Sequence, residues 1–147
     1  VGVMAALSAW KSRDHAAIRR RERAALDVWL EALDGRAGVE ARIVPDPTGN
    51  PLDRMEVRID PEGARITAWD LAMRLALGPT PVIVRDHEIE HGYFFLDPCN
   101  LHPGQEYTVA ERLSEELEKA ILSNAVIATP LEELLLAREN AILNWPD

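Results

Sequence analysis

The densest group of side chains that could do chemistry lies in one short stretch, residues 81–103. Two apolar runs, at 82–84 and 93–96, enclose a polar segment that carries Arg85, Asp86, His87, Glu88, Glu90 and His91. Three of the four histidines of the chain fall within this stretch. A functional site, if the chain has one, is therefore expected here.

His87, Glu88 and His91 match the His-Glu-x-x-His pattern of zinc proteases. That pattern requires an α-helix, because a helix brings histidines four residues apart onto one face, where they hold zinc. Here Gly92 follows at once, so a helix would have to begin and end within about one turn. On an extended chain the two histidines stand about 13 Å apart, too far for one metal. We therefore interpret the segment as a polar turn between two strands, without a metal site.

Arg85 is the candidate binding residue, since it stands where an apolar strand is predicted to give way to the polar turn. A guanidinium at the rim of a sheet binds a carboxylate or phosphate through two parallel hydrogen bonds, which a lysine cannot form. The alternative is a surface arginine paired with Asp86 or Glu88. From the residues alone, that alternative is favoured.

Cys99 is the only cysteine, so no internal disulfide can form and a reducing compartment, the cytoplasm, is expected. A nucleophilic pair with His102 is conceivable, but a small buried residue in a turn is the favoured interpretation. The net charge of −9 argues against nucleic acid or an anionic membrane as a partner. No apolar stretch of the sequence is long enough to span a bilayer.

These side chains must be positioned by a mixture of helices and strands. Apolar spacing predicts one long helix over roughly 1–34. Alternation predicts strands at 39–44 and 55–59, paired as an antiparallel hairpin across a proline-rich loop. Thr67 is predicted to cap a mostly buried helix that ends at Gly78. After the strands at 82–84 and 93–96, helices are predicted at about 105–123 and after Thr129.

The predicted order is therefore α-ββ-α-ββ-α-α. It describes an antiparallel sheet of about four strands with helices packed on it, an α+β fold. On the helix at 105–123, an apolar stripe is formed by Val109, Leu113, Leu117 and Ile121, which are four residues apart. At 147 residues, the chain is long enough to bury a core of its own.

Two runs of this sequence resemble the C-terminal small domain of fold-type-I pyridoxal-phosphate enzymes. They are VGVMAALSAWKSRDHAAIRRRE, which precedes the hairpin, and PTPVIVRDHEIEHGYFFLDPCNLHPGQEYTVAERL. Within that class the chain is similar to the L-seryl-tRNA(Sec) selenium transferase-like group, which includes the D-glucosaminate-6-phosphate ammonia-lyase type. The resemblance extends from residue 1 to about 122. Its most specific part is LDPCNLHPGQE, similar to the family run L-x-P-x-N-L-x-P-G-E.

The resemblance implies a small domain at residues 1–124 and an additional helical extension at 125–147. In this family a large domain, N-terminal to the small one, carries the Schiff-base lysine and most of the cofactor site. Lys11 and Lys119 do not match the Schiff-base motif, so this chain is expected to bind no pyridoxal phosphate covalently and to hold no catalytic residue. An arginine of the small domain commonly binds the substrate carboxylate, and Arg85 matches that position.

The expected function is thus active-site closure and substrate contact in a pyridoxal-phosphate-dependent lyase or transferase similar to selenocysteine synthase. The expected partners are the large domain or subunit, a small anionic substrate and further copies in a homo-oligomer. This chain alone is expected to be inactive. A stand-alone binding or assembly module, whose C-terminal helix docks a partner, is the alternative; a zinc protease is a third and less favoured one.

Overall fold

A computed structural model describes residues 2–143 of the chain. Residues 1 and 144–147 lie outside the description, as do the side chains of Arg138, Ala141 and Ile142, the last of which is predicted from the sequence to be on the apolar side of the final helix. The elements in chain order are α1 (Gly2–Ser12), α2 (His15–Leu33), β1 (Val39–Pro45), β2 (Asp53–Ile59), α3 (Pro61–Ala64), α4 (Ala68–Leu77), a 3₁₀ turn (Ile89–His91), β3 (Tyr93–Leu96), α5 (Gln105–Ile121) and α6 (Leu131–Leu143). Within residues 2–143 the sheet is antiparallel with the order β1-β2-β3. The predicted α+β class is confirmed, whereas the predicted count of four strands is wrong.

The N-terminal region forms two helices instead of the single helix predicted over 1–34. Between α1 and α2, Asp14 has a non-helical backbone (φ −77°, ψ 85°), and its carboxylate accepts the amide of Ala17 at 2.8 Å. Such an N-cap satisfies an otherwise unpaired N–H and contributes about 1 kcal/mol. The cap starts a second helix, which the apolar spacing alone does not reveal.

The hairpin predicted from alternation is present. β1 and β2 pair from Val39↔Ile59 to Pro45↔Asp53, and β3 continues the sheet on the other side of β2, where Leu96 lies opposite Met55. Side chains alternate between the two faces of a strand. The sheet therefore has an apolar face, to which β2 contributes Met55, Val57 and Ile59, and a polar face, to which it contributes Arg54, Glu56 and Arg58.

The predicted strand at 82–84 is the one that fails. The amide of Val82 donates to the carbonyl of Leu75 at the end of α4 (2.9 Å), so the backbone of this segment is bonded to a helix. Sheet pairing in this part of the described chain is confined to Arg85, which exchanges hydrogen bonds of 2.8 and 2.9 Å with Phe95. Burial still alternates along 82–84. Residues 82–84 therefore alternate in burial as a strand does, although the backbone hydrogen bond of Val82 is made to a helix and not to a neighbouring strand.

Helices α2 and α4 pack on the sheet, α5 packs against α2 and α4, and together they enclose the core. Trp29 of α2 is buried there, and its indole N–H donates to the carbonyl of Glu106 in α5 at 2.9 Å. The predicted stripe of α5 is buried at three of its four positions, and Ile121, at the helix end, is 47% exposed. The other fully buried large side chains are Phe94, Leu26, Leu33, Met55, Ile66, Leu71, Leu75, Leu113, Leu134 and Val57.

The C-terminal segment docks on the N-terminus of α4. Thr67 caps this helix as predicted, because its hydroxyl accepts the amide of Asp70 at 3.2 Å. The Asp70 carboxylate in turn accepts the amide and the hydroxyl of Thr129, at 2.8 and 2.7 Å. Ile127 adds a parallel bridge to Ile66. The polypeptide that leads into α6 is thus attached to the core, whereas the predicted division between residues 124 and 125 stays a prediction.

None of the helices within residues 2–143 combines the length and apolarity needed to cross a membrane.

Candidate anion-binding site on the polar face of the sheet

Arg85 lies at the edge of the polar face, beside Phe95. Its side chain is 44% exposed, and its Nη1 pairs with Oδ2 of Asp97 at 3.2 Å. The partner shown is thus Asp97, on the far side of the turn from Asp86 and Glu88, the partners considered from the sequence. Arg85 lines an open depression together with Pro47, Arg54, His87, Glu88, Tyr93 and Phe95.

The strand register explains why Asp97 meets Arg85. Phe95 pairs with Arg85, and Asp97 is two positions further along the same strand direction, so the two charged residues are diagonal neighbours on one face. The same register, continued by one residue, places Asp97 opposite Arg54. Arg54 Nε lies 2.7 Å from Asp97 Oδ1, so Asp97 is held between two guanidinium groups.

A second set of charges occupies the middle of the same face. Glu56 is 8% exposed and accepts two hydrogen bonds from the Nη2 of Arg42, at 2.8 and 3.0 Å. Arg58 lies next to it, with its guanidinium 4.7 Å from the centre of the Tyr93 ring. The polar face thus carries four arginines, and the side chain of Arg54 is the most buried of them, at 8% exposed.

Tyr93 closes one side of the depression. Its hydroxyl donates a hydrogen bond to Glu88 in the turn. This hydrogen bond raises the pKa of Tyr93 above its ordinary value, with burial adding to the effect. Tyr93 therefore stays neutral at physiological pH and acts as a hydrogen-bonding wall of the depression.

The His-Glu-x-x-His segment does not form the helix of a zinc protease. Residues 87–91 are a turn followed by the short 3₁₀ helix Ile89–His91, which ends at Gly92 with φ of 80°. His87 and His91 therefore do not share a helix face. Within residues 2–143, no group of three His, Cys, Asp or Glu side chains is placed to hold a metal.

Cys99 is exposed, so the prediction of a buried turn residue is wrong. It follows Pro98 in the turn after β3, where the chain leaves the sheet toward α5. Partial burial of the thiol raises its pKa, and the negative charge of Asp97 raises it further. A thiol with a raised pKa is less often a thiolate, which makes Cys99 a poor nucleophile.

The sequence marked Arg85 as a candidate, whereas the residues that hold it were not predicted. Arg54 and Asp97 are far apart in sequence and meet only through the β2–β3 register. The available signal was alternation: Arg54, Glu56 and Arg58 repeat every second position along a strand whose other face is apolar. A polar residue at each outward position of a strand marks a face where charged groups meet across strands.

No protein-family model matches the chain. A curated protein from a Streptomyces species, 5′-C-glycyluridine monooxygenase-decarboxylase, is 30% identical over 110 residues, which are 71% of this chain and 28% of that protein. The D-glucosaminate-6-phosphate ammonia lyase of Salmonella typhimurium (strain 14028s) is 29% identical over 90 residues, 61% of this chain and 24% of that protein. The chain thus spans about a quarter of the length of each of these relatives.

A solved structure agrees with these sequence matches. The structure of a D-glucosaminate-6-phosphate ammonia-lyase superimposes with a TM-score of 0.58 and 28% identity, over 65% of this chain and 26% of that one. The resemblance predicted from the sequence is confirmed by this agreement. Over about two thirds of its length, the chain resembles one part of a pyridoxal-phosphate-dependent enzyme of the D-glucosaminate-6-phosphate ammonia-lyase type.

Proposed function

We propose that the chain is the small domain of a cytoplasmic, homo-oligomeric pyridoxal-phosphate-dependent lyase or transferase. Its role is to close over an active site built mainly by a larger partner domain, and to bind the carboxylate of a small anionic substrate through Arg85. The chain matches about a quarter of the length of each longer relative, which supports the proposal that it is one domain of a larger enzyme.

The observation that carries the proposal is the state of Arg85. Arg85 is held by Asp97 on one side and is still 44% exposed. A guanidinium that is anchored at one edge and accessible at the other can receive a planar oxyanion with little loss of its own freedom.

The lysines of this chain do not fit a Schiff-base site. Such a lysine has to be unprotonated and close to the reacting group. Lys119 donates to Glu116 at 2.8 Å and is 55% exposed, and Lys11 is exposed on α1. Neither lines the depression that contains Arg85. In the proposed enzyme the partner domain supplies the cofactor lysine, and this chain supplies binding and closure.

The proposal is tested by titrating the 147-residue chain with acetate at constant ionic strength, followed by NMR of the arginine Nε–Hε groups. We expect saturable shifts at Arg85. Arg85→Gln should weaken acetate binding about tenfold or more, since a hydrogen-bonded charge partner is lost. Arg42→Gln is the matched control, because it removes the same charge from the same face at a residue that does not line the depression. Equal affinity of the wild type and Arg85→Gln would refute the assignment of Arg85.

A stand-alone binding or assembly module is the second candidate, and the state of α1 favours it. All described residues of this helix are exposed, including the large apolar side chains of Val3, Met4, Leu7 and Trp10. A helix that buries nothing within the chain is suited to cover another surface. Light scattering during size-exclusion chromatography tests this second candidate, because a module that works by self-assembly forms a defined oligomer without any larger domain, and a monomer would count against it.

A further inference from the structure

Four charged residues form a continuous chain of ion pairs across the polar face of the sheet. Asp46 Oδ1 lies 2.5 Å from Arg54 Nη2, and Arg54 Nε lies 2.7 Å from Asp97 Oδ1. Asp97 Oδ2 lies 3.2 Å from Arg85 Nη1. The side chains of Asp46 and Arg54 are 0% and 8% exposed, that of Asp97 is 21% exposed and that of Arg85 is 44% exposed, so the chain leads from the interior to the surface.

The buried end of this chain is fixed by the loop between β1 and β2. The Asp46 carboxylate accepts hydrogen bonds from the Thr48 hydroxyl and from the backbone and side-chain N–H groups of Asn50, the last two at 3.2 and 2.8 Å. The hydrogen bond from Thr48 is the main cause of a lowered pKa of Asp46, and those from Asn50 act in the same direction. The carboxylate is therefore ionised at neutral pH and gives Arg54 a rigid counter-ion.

Arg54 bridges the ends of the two outer strands of the sheet. It lies on β2, Asp46 follows β1 and Asp97 follows β3, so one guanidinium ties all three strands together. A lysine would place one compact charge here, whereas the guanidinium spreads its charge over Nη2, close to Asp46, and Nε, close to Asp97. This bridge fixes the direction of the Asp97 carboxylate. The carboxylate in turn determines the side from which the Arg85 guanidinium is held.

We propose that Arg54 is a positioning residue, which acts through Asp97 to aim Arg85, and that the resulting site takes a carboxylate in preference to a phosphate. This inference rests on the proposed function of Arg85. The preference follows from charge: two arginines and two aspartates cancel, so the site has no excess positive charge, and a singly charged carboxylate meets less repulsion there than a doubly charged phosphate. Glu88, which lines the same depression, adds to the repulsion of a dianion.

The test compares Arg54→Gln and Arg54→Lys with Arg58→Gln, a control on the same strand and the same face. Acetate and inorganic phosphate are titrated separately, and the ¹⁵N relaxation of Arg85 Nε is measured without ligand. We expect both Arg54 variants to weaken acetate binding about fivefold, the cost of ordering one side chain, and to increase the mobility of Arg85 Nε. Arg58→Gln should change neither quantity. Wild-type protein should bind acetate more tightly than phosphate at neutral pH.

The outcomes separate this inference from the proposed function. If Arg85→Gln abolishes acetate binding but the Arg54 variants bind normally and Arg85 stays ordered, positioning is refuted while the function of Arg85 stands. If Arg54→Lys binds like wild type and Arg54→Gln does not, charge and not geometry is responsible, which also refutes positioning. Tighter binding of phosphate refutes the carboxylate preference.

Should Arg54→Gln unfold the chain by leaving Asp46 unpaired, Asp46→Asn combined with Arg54→Gln removes that buried charge and serves in its place.

Discussion

Glu116 is a buried acid whose ionised form stabilises the fold. It is 6% exposed on α5, accepts hydrogen bonds from Arg112 at 2.9 Å and Lys119 at 2.8 Å, and lies 3.8 Å from Arg74 of α4. Burial acts to raise its pKa, but the hydrogen bonds from Lys119 and Arg112 prevail, so that the pKa lies below the ordinary value of 4.5. The charge of this residue therefore joins α5 to the end of α4.

A lowered pKa has a defined consequence for stability. The contribution of Glu116 is complete above the unfolded-state pKa near 4.5 and is lost as the pH falls through the folded-state value. We expect Glu116→Gln to lower the free energy of unfolding at pH 7 by about 3 kcal/mol, because the buried Arg112 loses a buried counter-ion. Urea unfolding at several pH values should show that the variant loses less stability than the wild type between about pH 5 and 3.

The exposed Glu111 of the same helix provides the control. Glu111→Gln should leave both the stability at pH 7 and its acid dependence close to wild type. A Glu116→Gln protein with the full acid dependence of the wild type would contradict the assignment, since the pH sensitivity would then arise from other carboxylates.

At the scale of elements, the sequence predicted what is encoded locally and missed what depends on distant partners. The cap at Thr67 and the β1–β2 hairpin follow from residues a few positions apart, and both are confirmed. The strand predicted at 82–84 fails because the amide of Val82 is used by Leu75, which belongs to another element. The candidate site divides in the same way: Arg85 is visible at the end of an apolar run, whereas its link to Arg54 exists only through the sheet register.

The attachment of the C-terminal segment to α4 is an element-scale feature that no local pattern reveals. Asp70 is 5% exposed and receives the hydroxyl of Thr67 in addition to the two groups of Thr129. Trp69 donates its indole N–H to the carbonyl of Thr129 at 2.8 Å. One aspartate thus serves both the first turn of α4 and the approach to α6.

We expect Thr129→Val to loosen the C-terminal segment without unfolding the core. The change keeps the shape of the side chain but removes the hydroxyl that donates to Asp70, at a cost of about 1–3 kcal/mol for a buried acceptor with a lost partner. Hydrogen exchange followed by mass spectrometry should show faster exchange in residues 123–136 and little change in α2 and β2. Thr80→Val makes the same change at an exposed threonine and should leave the exchange as in the wild type. Faster exchange throughout the chain would mean that the segment and the core unfold as one unit.

At the scale of the whole molecule, apolar side chains are buried in the core but exposed along α1. Leu71 of α4 is 0% exposed, whereas Val3, Met4 and Leu7 of α1 are 74%, 68% and 50% exposed. Burial of apolar area is the main stabilising contribution to folding, so α1 adds little to the stability of this chain. Its apolar residues recur at helical spacing, which leaves a stripe available to a larger domain or to another copy.

The double substitution Met4→Gln and Leu7→Gln tests this division. Glutamine is a good helix former, so α1 should persist while its stripe becomes polar. We expect the free energy of unfolding to change by less than about 0.5 kcal/mol, and any concentration-dependent association seen by light scattering to decrease. Leu71→Ala, a truncation within the core, should instead cost about 3 kcal/mol and leave association unchanged. A large loss of stability in the α1 variant would show that the stripe packs within the chain, and would remove the main support for a surface that binds a partner domain.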